Sequence, residues 1–73
     1  MEKTNKWHNA EFEKPQSGQN VLLRVEIEKD SNNVAFIIGY HSGYEYCDRR
    51  GKQLTHSRAI THYDKVTHWI ELP

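Results

Sequence analysis

One eight-residue run with strictly spaced apolar residues constrains the fold of this chain most. The run VLLRVEIE, residues 21–28, places Val, Leu, Val and Ile at its odd positions, while Arg and Glu fill most of the even ones. A period of two is typical of a β-strand with one buried face. A second run, VAFIIGY, carries large apolar groups at every other position, and the turn-forming residues KDSN lie between the runs. The sequence therefore predicts a β-hairpin.

The register of this hairpin follows from matching the two apolar sets. A four-residue loop at residues 29–32 would pair Val25 with Phe36 and Leu23 with Ile38. All the alternating apolar side chains would then meet on one face. A slip by one residue would scatter them, since successive side chains of a strand point to opposite faces. We therefore expect this register.

In this register the opposite face of the hairpin is not purely polar. It carries Leu22, Ala35 and Ile37. Either Trp7 or the C-terminal segment covers these residues, or they form a surface for a partner or for a second copy of the chain. A chain of 73 residues buries two layers with difficulty.

Two further turns are predicted from glycine. The tripeptides HSG and RRG each fit a three-residue hairpin loop whose last residue has a positive φ, which glycine adopts without strain. These loops would place Tyr40 opposite Tyr44, and Tyr46 opposite Leu54. The result is an antiparallel meander with a mixed aliphatic and aromatic face.

The fold class follows from these elements and from the end of the chain. Residues 66–72 are rich in β-branched and aromatic side chains and are predicted to form a last strand. Residues 57–64 fit either a strand or one short helix, and we favour the strand. We expect an all-β protein: a single small domain over residues 1–73, built as an antiparallel meander of four to six strands curled over one core.

Composition excludes several classes of protein. Ten basic residues balance ten acidic ones, so the chain lacks the basic stripe that drives nucleic-acid binding, and such a partner is disfavoured. No stretch approaches the ~20 apolar residues of a membrane span, and the N-terminus lacks the apolar core of a signal peptide. The single cysteine, Cys47, excludes an internal disulfide and a Cys-rich zinc site. We expect a cytoplasmic protein without a cofactor.

A Thr-His pair occurs three times, with histidines at 56, 62 and 68. A spacing of six matches no common pair of zinc ligands, so we predict no metal site. Only a fold-back that brings His62 to His68 would create a ligand pair. Cys47 or Ser57 could be combined with a histidine and an aspartate into a catalytic triad. No nucleophile elbow accompanies them, so we expect no enzymatic activity.

The motif DRRG offers an alternative, a small-ligand or nucleotide site. Its backbone amides, together with Arg49 and Arg50, could hold a phosphate. Tyr44 and His56 would complete such a site. The simpler interpretation is a hairpin turn with two solvated arginines.

Motifs at the two ends of the chain are read together. Trp7, the run EKP, the run GQNVLL and the tail VTHWIELP span nearly the whole sequence. This arrangement resembles domain-of-unknown-function family 551, whose members are short proteins common in phages and prophages. The match departs from the family pattern at Ile70-Glu71, where Met-Pro is usual, and in the two additional Thr-His pairs.

The resemblance implies a phage or bacterial source and cytoplasmic residence, but no activity. It implies structural roles for the shared residues: Trp7 and Trp69 as core anchors, and Pro15 and Gly18 as a turn. His68 has two interpretations. It is either a buried histidine hydrogen-bonded to the backbone, which we favour, or a functional group at a pocket.

We expect a non-enzymatic phage or prophage accessory protein. It would bind a protein partner, either a host protein or a second copy in a homo-oligomer, through a sheet edge or the surface that includes Leu22 and Ile37. The alternative is the small-ligand or nucleotide-binding protein, and a weaker alternative is a His-liganded metal protein.

Overall fold

The computed structural model describes residues 6–30, 32–56 and 64–72, and these form one antiparallel sheet of five strands. The strands are β1 (His8–Asn9), β2 (Val21–Glu26), β3 (Val34–His41), β4 (Tyr46–Asp48) and β5 (Lys65–Glu71). Their spatial order is β1-β5-β2-β3-β4. The predicted all-β fold and last strand are confirmed. Residues 57–63, the main part of the strand-or-helix alternative, lie outside the described residues.

The side chains of the central strand, β2, alternate between the two faces of the sheet. Val21, Leu23 and Val25 are completely buried, whereas the residues between them are half-buried. The alternation predicted for this strand is therefore present. We call the face of the sheet that carries Val21, Leu23 and Val25 the inner face, and the opposite one the outer face. The inner face contributes to one core: Ala10, Val21, Leu23, Val25, Tyr46, Leu54, Val66 and Trp69, with Ile27 and Ile37 packed against it.

The predicted register of the β2–β3 hairpin is wrong by one residue. Leu23 pairs with Ile37, and not with the neighbouring Ile38. The strand ends earlier than expected because Ile27–Lys29 forms a 3-10 turn, with Glu28 at a φ of 53°. The connection back to β3 is therefore longer than four residues.

Packing at Gly39 explains why this register is stable. A Cβ atom at Gly39 would collide with the carbonyl oxygen of Cys47 and with Cδ1 of Leu23. Only glycine fits between β2 and β4 at this point, so Gly39 faces inward and its large neighbours Ile38 and Tyr40 face outward.

The one-residue difference in register changes which residues share a face of the sheet. Ile37 packs against the core on the inner face, while Leu22 lies on the outer face beside Ile38. The predicted common surface of Leu22 and Ile37 is therefore wrong. The outer face instead gains Phe36, which the predicted register placed in the core.

The β3–β4 hairpin also differs from the prediction. His41 pairs with Tyr46, so the loop contains four residues, 42–45, and Tyr40 pairs with Cys47 instead of Tyr44. The backbone N–H of Ser42 donates to the carbonyl of Glu45 over 2.9 Å. The predicted positive φ at the glycine of this loop is present, at 103°.

The following turn matches the prediction. Leu54 donates its backbone N–H to the carbonyl of Tyr46 over 2.8 Å, and Gly51 has a φ of 84°. Beyond this turn the sheet closes on itself. Gln53 bridges to Cys47 of β4, and Thr55 bridges in parallel to Lys65 of β5.

The edges of the sheet are only partly covered. The edge of β5 away from β2 is covered by Thr55 at one end and by β1 at the other, where His8 pairs with Trp69. β4 pairs only with residues 39–41 of β3, so among the described residues positions 34–38 of β3 have no strand partner on that side. The predicted curling over one core is confirmed, and self-assembly through a sheet edge stays a prediction.

The segment before β2 covers the inner face. The Tyr46 hydroxyl donates to the carbonyl of Ala10 over 2.9 Å, and Trp69 Nε1 donates to the carbonyl of Glu13 over 2.8 Å. Burial raises the pKa of the Tyr46 phenol, consistent with a hydroxyl that acts as a donor. Pro15 is buried in this segment, and Gly18 turns it with a φ of 81°.

Candidate protein-binding face

The outer face consists of three rows of side chains that cross β5, β2 and β3. The register fixes their composition as Ile70-Leu22-Ile38, His68-Arg24-Phe36 and Lys65-Glu26-Val34. One end of the face is therefore apolar, the middle is mixed and the other end is charged. Trp7, just before β1, reaches onto this face.

Two aromatic side chains stand out of the outer face. Phe36 is 58 % exposed and Trp7 is 39 % exposed. Their ring centroids are 5.9 Å apart, with planes tilted by 51°. The expectation that Trp7 is a core anchor is wrong, whereas Trp69 is buried in the core. Exposed aromatic groups in contact with each other, beside an aliphatic row, are typical of an interaction surface.

The two rings form the walls of a cleft of about 350 Å³, which Arg24 and His68 complete. We call it the Trp7–Phe36 cleft. The Arg24 guanidinium is oriented by Thr67, because Nη1 donates to Thr67 Oγ1 over 2.7 Å, and Thr67 Oγ1 donates in turn to the Arg24 carbonyl over 3.2 Å. Glu26 Oε2 lies 4.0 Å from the same nitrogen. The charge in the cleft is thus held in place by a side chain on β5.

A register shift in β5 makes this arrangement possible. Arg24 pairs with His68, but the next residue, Val25, pairs with Val66, so β5 contains one additional residue at this point. The bulge keeps Val66 in the core while it places Thr67 beside the Arg24 guanidinium. β-Bulges commonly redirect side chains near functional sites.

His68 does not make the backbone hydrogen bond that we expected. Its Nδ1 atom is buried and has no hydrogen-bond partner among residues 6–30, 32–56 and 64–72. The favoured interpretation is therefore wrong for this atom. His68 lines the Trp7–Phe36 cleft. A functional role there stays a prediction.

A larger depression, of about 600 Å³, lies beside the cleft and shares Arg24 and His68 with it. Side chains of both charge signs line it, together with an aromatic group: Glu11, Phe12, Glu26, His56 and Lys65. Its charges balance and provide no preference for an anion or a cation.

The structure does not bring the four predicted ligand residues together. Tyr44 is 92 % exposed in the loop before β4. Arg49 and Arg50 lie in the turn after β4, at the opposite end of a strand about 10 Å long, given ~3.3 Å per residue. His56 lies near Tyr46, with ring centroids 6.1 Å apart.

The backbone amides of the DRRG turn are engaged within the turn. Arg50 and Lys52 both donate their N–H groups to Asp48 Oδ1 over 2.8 Å, and Gly51 donates to the Asp48 carbonyl over 3.0 Å. The protein's own carboxylate therefore occupies the position that a phosphate would take. This geometry does not favour the nucleotide alternative.

A second cluster contains two histidines beneath the β3–β4 loop. His41 is buried, its Nδ1 accepts the N–H of Gly43 over 3.1 Å, and its ring meets Tyr46 edge-on at 4.6 Å. Burial is the main cause that lowers the pKa of His41, and Lys14 and His56 lower it further. Burial and Lys14 also lower the pKa of His56. Both imidazoles are therefore stabilised in the neutral form.

The two Thr-His pairs whose histidines the structure describes have different surroundings. His56 belongs to the cluster under the loop, His68 lies on the outer face, and His62 falls outside the described residues, as does its distance from His68. Within the part of the chain that the structure describes, no group of three or more His, Cys, Asp or Glu side chains is arranged to hold a metal ion. Cys47 is buried, and its hydrogen bond to Tyr40 is the main cause that raises the pKa of the Tyr40 phenol.

Sequence reasoning missed Phe36 and Arg24 as site residues. The predicted register placed Phe36 on the buried face, since a phenylalanine in an alternating strand is normally assigned to the core. Arg24 was taken as an ordinary polar residue of the solvent face. The inward-facing Gly39 is the sequence signal that could have placed Phe36 outside, because residues 36 and 39 lie on opposite faces of one strand.

Comparisons with family models, with curated proteins and with solved structures found no match to this chain. The resemblance to family 551 therefore stays a prediction. Within the residues described, no helix is long and apolar enough to cross a membrane.

Proposed function

We propose that this chain is a non-enzymatic accessory protein that binds a protein partner through the outer face of its sheet. The observation that carries the proposal is the pair of exposed, touching aromatic rings of Phe36 and Trp7. The phage or prophage setting and cytoplasmic residence are part of the proposal and rest on the family resemblance alone.

The composition of the outer face supports protein binding. Residues that contribute most binding energy at protein interfaces are chiefly Trp, Tyr and Arg, placed near the centre and surrounded by less critical contacts. Arg24 and Phe36 belong to the middle row of the face, with the Leu22 row on one side and the charged row on the other. The Trp7 ring packs against Phe36 of this row. A partner that covers this face would remove both rings from water.

The rigidity of β2, the strand at the centre of the outer face, also favours binding. β2 is hydrogen-bonded on both sides, by β3 and by β5, and its inner side chains are completely buried. The Arg24 side chain is held by Thr67 before any partner arrives. Such preorganisation lowers the entropy cost of association.

The test is affinity capture from a bacterial lysate, followed by titration of the captured protein with purified chains. Wild type is compared with the double variant Trp7→Ser, Phe36→Ser. Because both side chains are hot-spot candidates that pack outside the core, we expect the double variant to remain folded and to bind at least about 100-fold more weakly.

Tyr44→Ser is the matched control, since it also removes an exposed aromatic ring, but one in the β3–β4 loop. It should bind the partner with unchanged affinity. Equal binding by the wild type and the double variant would contradict the proposal, as would a loss in Tyr44→Ser alone.

A further inference from the structure

The Trp7–Phe36 cleft combines apolar lining groups with a cationic one. Two aromatic rings line it, while Arg24 and His68 supply the only charged or titratable groups among the described residues that line it. Neither Glu26 nor any other carboxylate belongs to this lining. A group that fits this lining therefore combines apolar surface with a hydrogen-bond acceptor.

The unused donors of Arg24 support this choice. A guanidinium carries five N–H groups. One nitrogen, Nη1, is engaged by Thr67 Oγ1 at 2.7 Å and has Glu26 at the limit of an ion pair, 4.0 Å away. No acceptor for the remaining N–H groups is found among the residues that the structure describes, so these groups can meet an oxyanion. Charge-assisted bonds of this kind are the strongest class of hydrogen bond.

His68 presents a second polar group beside Arg24. Its Nδ1 atom is buried and unpartnered among the residues that the structure describes. Arg24 and His68 are paired across β2 and β5, so both side chains belong to the same row of the outer face and line the same cleft.

We infer that the Trp7–Phe36 cleft binds an amphipathic carboxylate: a glutamate or aspartate of the protein partner that is flanked by apolar side chains. The carboxylate contacts the Arg24 guanidinium beside His68, and the flanking apolar groups pack against the rings of Trp7 and Phe36. The inference rests on the proposed function, because it names the chemistry that the partner presents to the same face.

The experiment uses the full chain, labelled with ¹⁵N, and two capped tripeptides. One has a glutamate between two leucines, and the other has a glutamine in its place. The signals followed are the indole N–H of Trp7 and the Nε–H of Arg24. We expect the glutamate peptide to shift both signals and to bind about fivefold more tightly than the glutamine peptide, the difference of a partly exposed ion pair.

Three variants separate the contributions. Arg24→Gln should abolish the preference for the glutamate peptide while it leaves weak binding of both. Glu26→Gln should increase the preference, because it removes the carboxylate that competes for Arg24. Tyr44→Ser should change nothing.

Equal binding of the two peptides, or a preference that survives in Arg24→Gln, would overturn the inference. The proposed function is judged separately, by the capture experiment. If outer-face variants lose the protein partner but the peptides bind equally, only the inference fails. If the peptides behave as expected but the Trp7→Ser, Phe36→Ser variant binds the protein partner as tightly as the wild type, the proposed function fails.

Discussion

The Tyr46 hydroxyl joins the segment before β2 to the sheet. It donates to the carbonyl of Ala10 over 2.9 Å and lies 3.4 Å from that of Glu13. Tyr46→Phe keeps the ring but leaves a buried carbonyl without this donor. We expect the free energy of unfolding to fall by about 1–2 kcal/mol, measured by urea denaturation.

The control for this change is Tyr44→Phe, which removes the same hydroxyl from a side chain that is almost fully exposed. It should alter the urea midpoint by no more than the error of the measurement. A similar loss in both variants would show that the hydrogen bonds of Tyr46 are not the cause.

Gly39 and Gly18 require glycine for different physical reasons. At Gly39, an added methyl group would collide with the Cys47 carbonyl and with Leu23. At Gly18, with a φ of 81°, the added group would meet no atom within 4 Å, so only backbone strain opposes it. We expect Gly39→Ala to cost about 2–3 kcal/mol of unfolding free energy and Gly18→Ala about 1 kcal/mol.

Chemical denaturation of both variants measures this difference. A Gly39→Ala protein as stable as Gly18→Ala would mean that β2 and β4 separate easily at this point. It would also contradict our explanation of the hairpin register.

At the scale of the strands, the residue pattern correctly predicted local features, namely the positions of strands and turns. The apolar period of two located β2 and β3, and glycine located the two positive φ values at residues 43 and 51. It did not predict the register, because that depends on contacts between residues that lie far apart in sequence. The Glu28 amide in the 3-10 turn donates to Asp64 Oδ1, and Gly39 packs against Leu23 and Cys47. Both registers satisfy the apolar pattern of β2, and only the packing of the hairpin against β4 distinguishes them.

The short bridge at residues 53–55 closes the sheet, and this closure makes a prediction for hydrogen exchange. Thr55 donates to the Asp64 carbonyl over 3.0 Å, and Val66 donates to the Thr55 carbonyl over 2.7 Å. Both amides lie between β4 and β5, so they should exchange together when the closure opens, and Leu54 should exchange with them.

Arg50 provides the comparison, since it is exposed and its amide is bonded to the Asp48 side chain within the turn. We expect it to exchange at least about 100-fold faster than Val66, measured by NMR at neutral pH. Equal rates at the two sites would mean that residues 53–55 do not form a stable closure.

At the scale of the whole molecule, stability should depend on pH through His41 and His56. Burial lowers the pKa of both side chains in the folded protein. The unfolded chain, with ordinary values near 6.5, therefore takes up protons first as the pH falls. Stability is complete above about pH 6.5 and decreases below it, by at most about 1.4 kcal/mol per pH unit for each histidine.

Urea denaturation at several values between pH 7.5 and pH 5 measures this slope. His41→Asn keeps an acceptor for the Gly43 amide but has no titrating group, so its stability should depend less on pH than that of the wild type. An unchanged slope in this variant would exclude His41 as the cause.

The candidate site shows where prediction from sequence ends for a small β protein. Trp7 was recognised as important, but as a core residue, because a large aromatic side chain is normally buried. Its exposure depends on the core being filled already by Trp69 and Tyr46, which are contributed by distant strands. Which of several aromatic residues remains outside is a property of the complete packing and not of any local pattern.

The position of β5 also determines when the chain can fold. β2 obtains its second neighbour only when residues 65–71 are available, and the paired residues are 39 to 50 positions apart in the sequence. Until residues 65–71 have been synthesised, β2 therefore has no partner along this edge. The folding rate should be limited by this late contact, and the nascent chain is most vulnerable to aggregation before it forms.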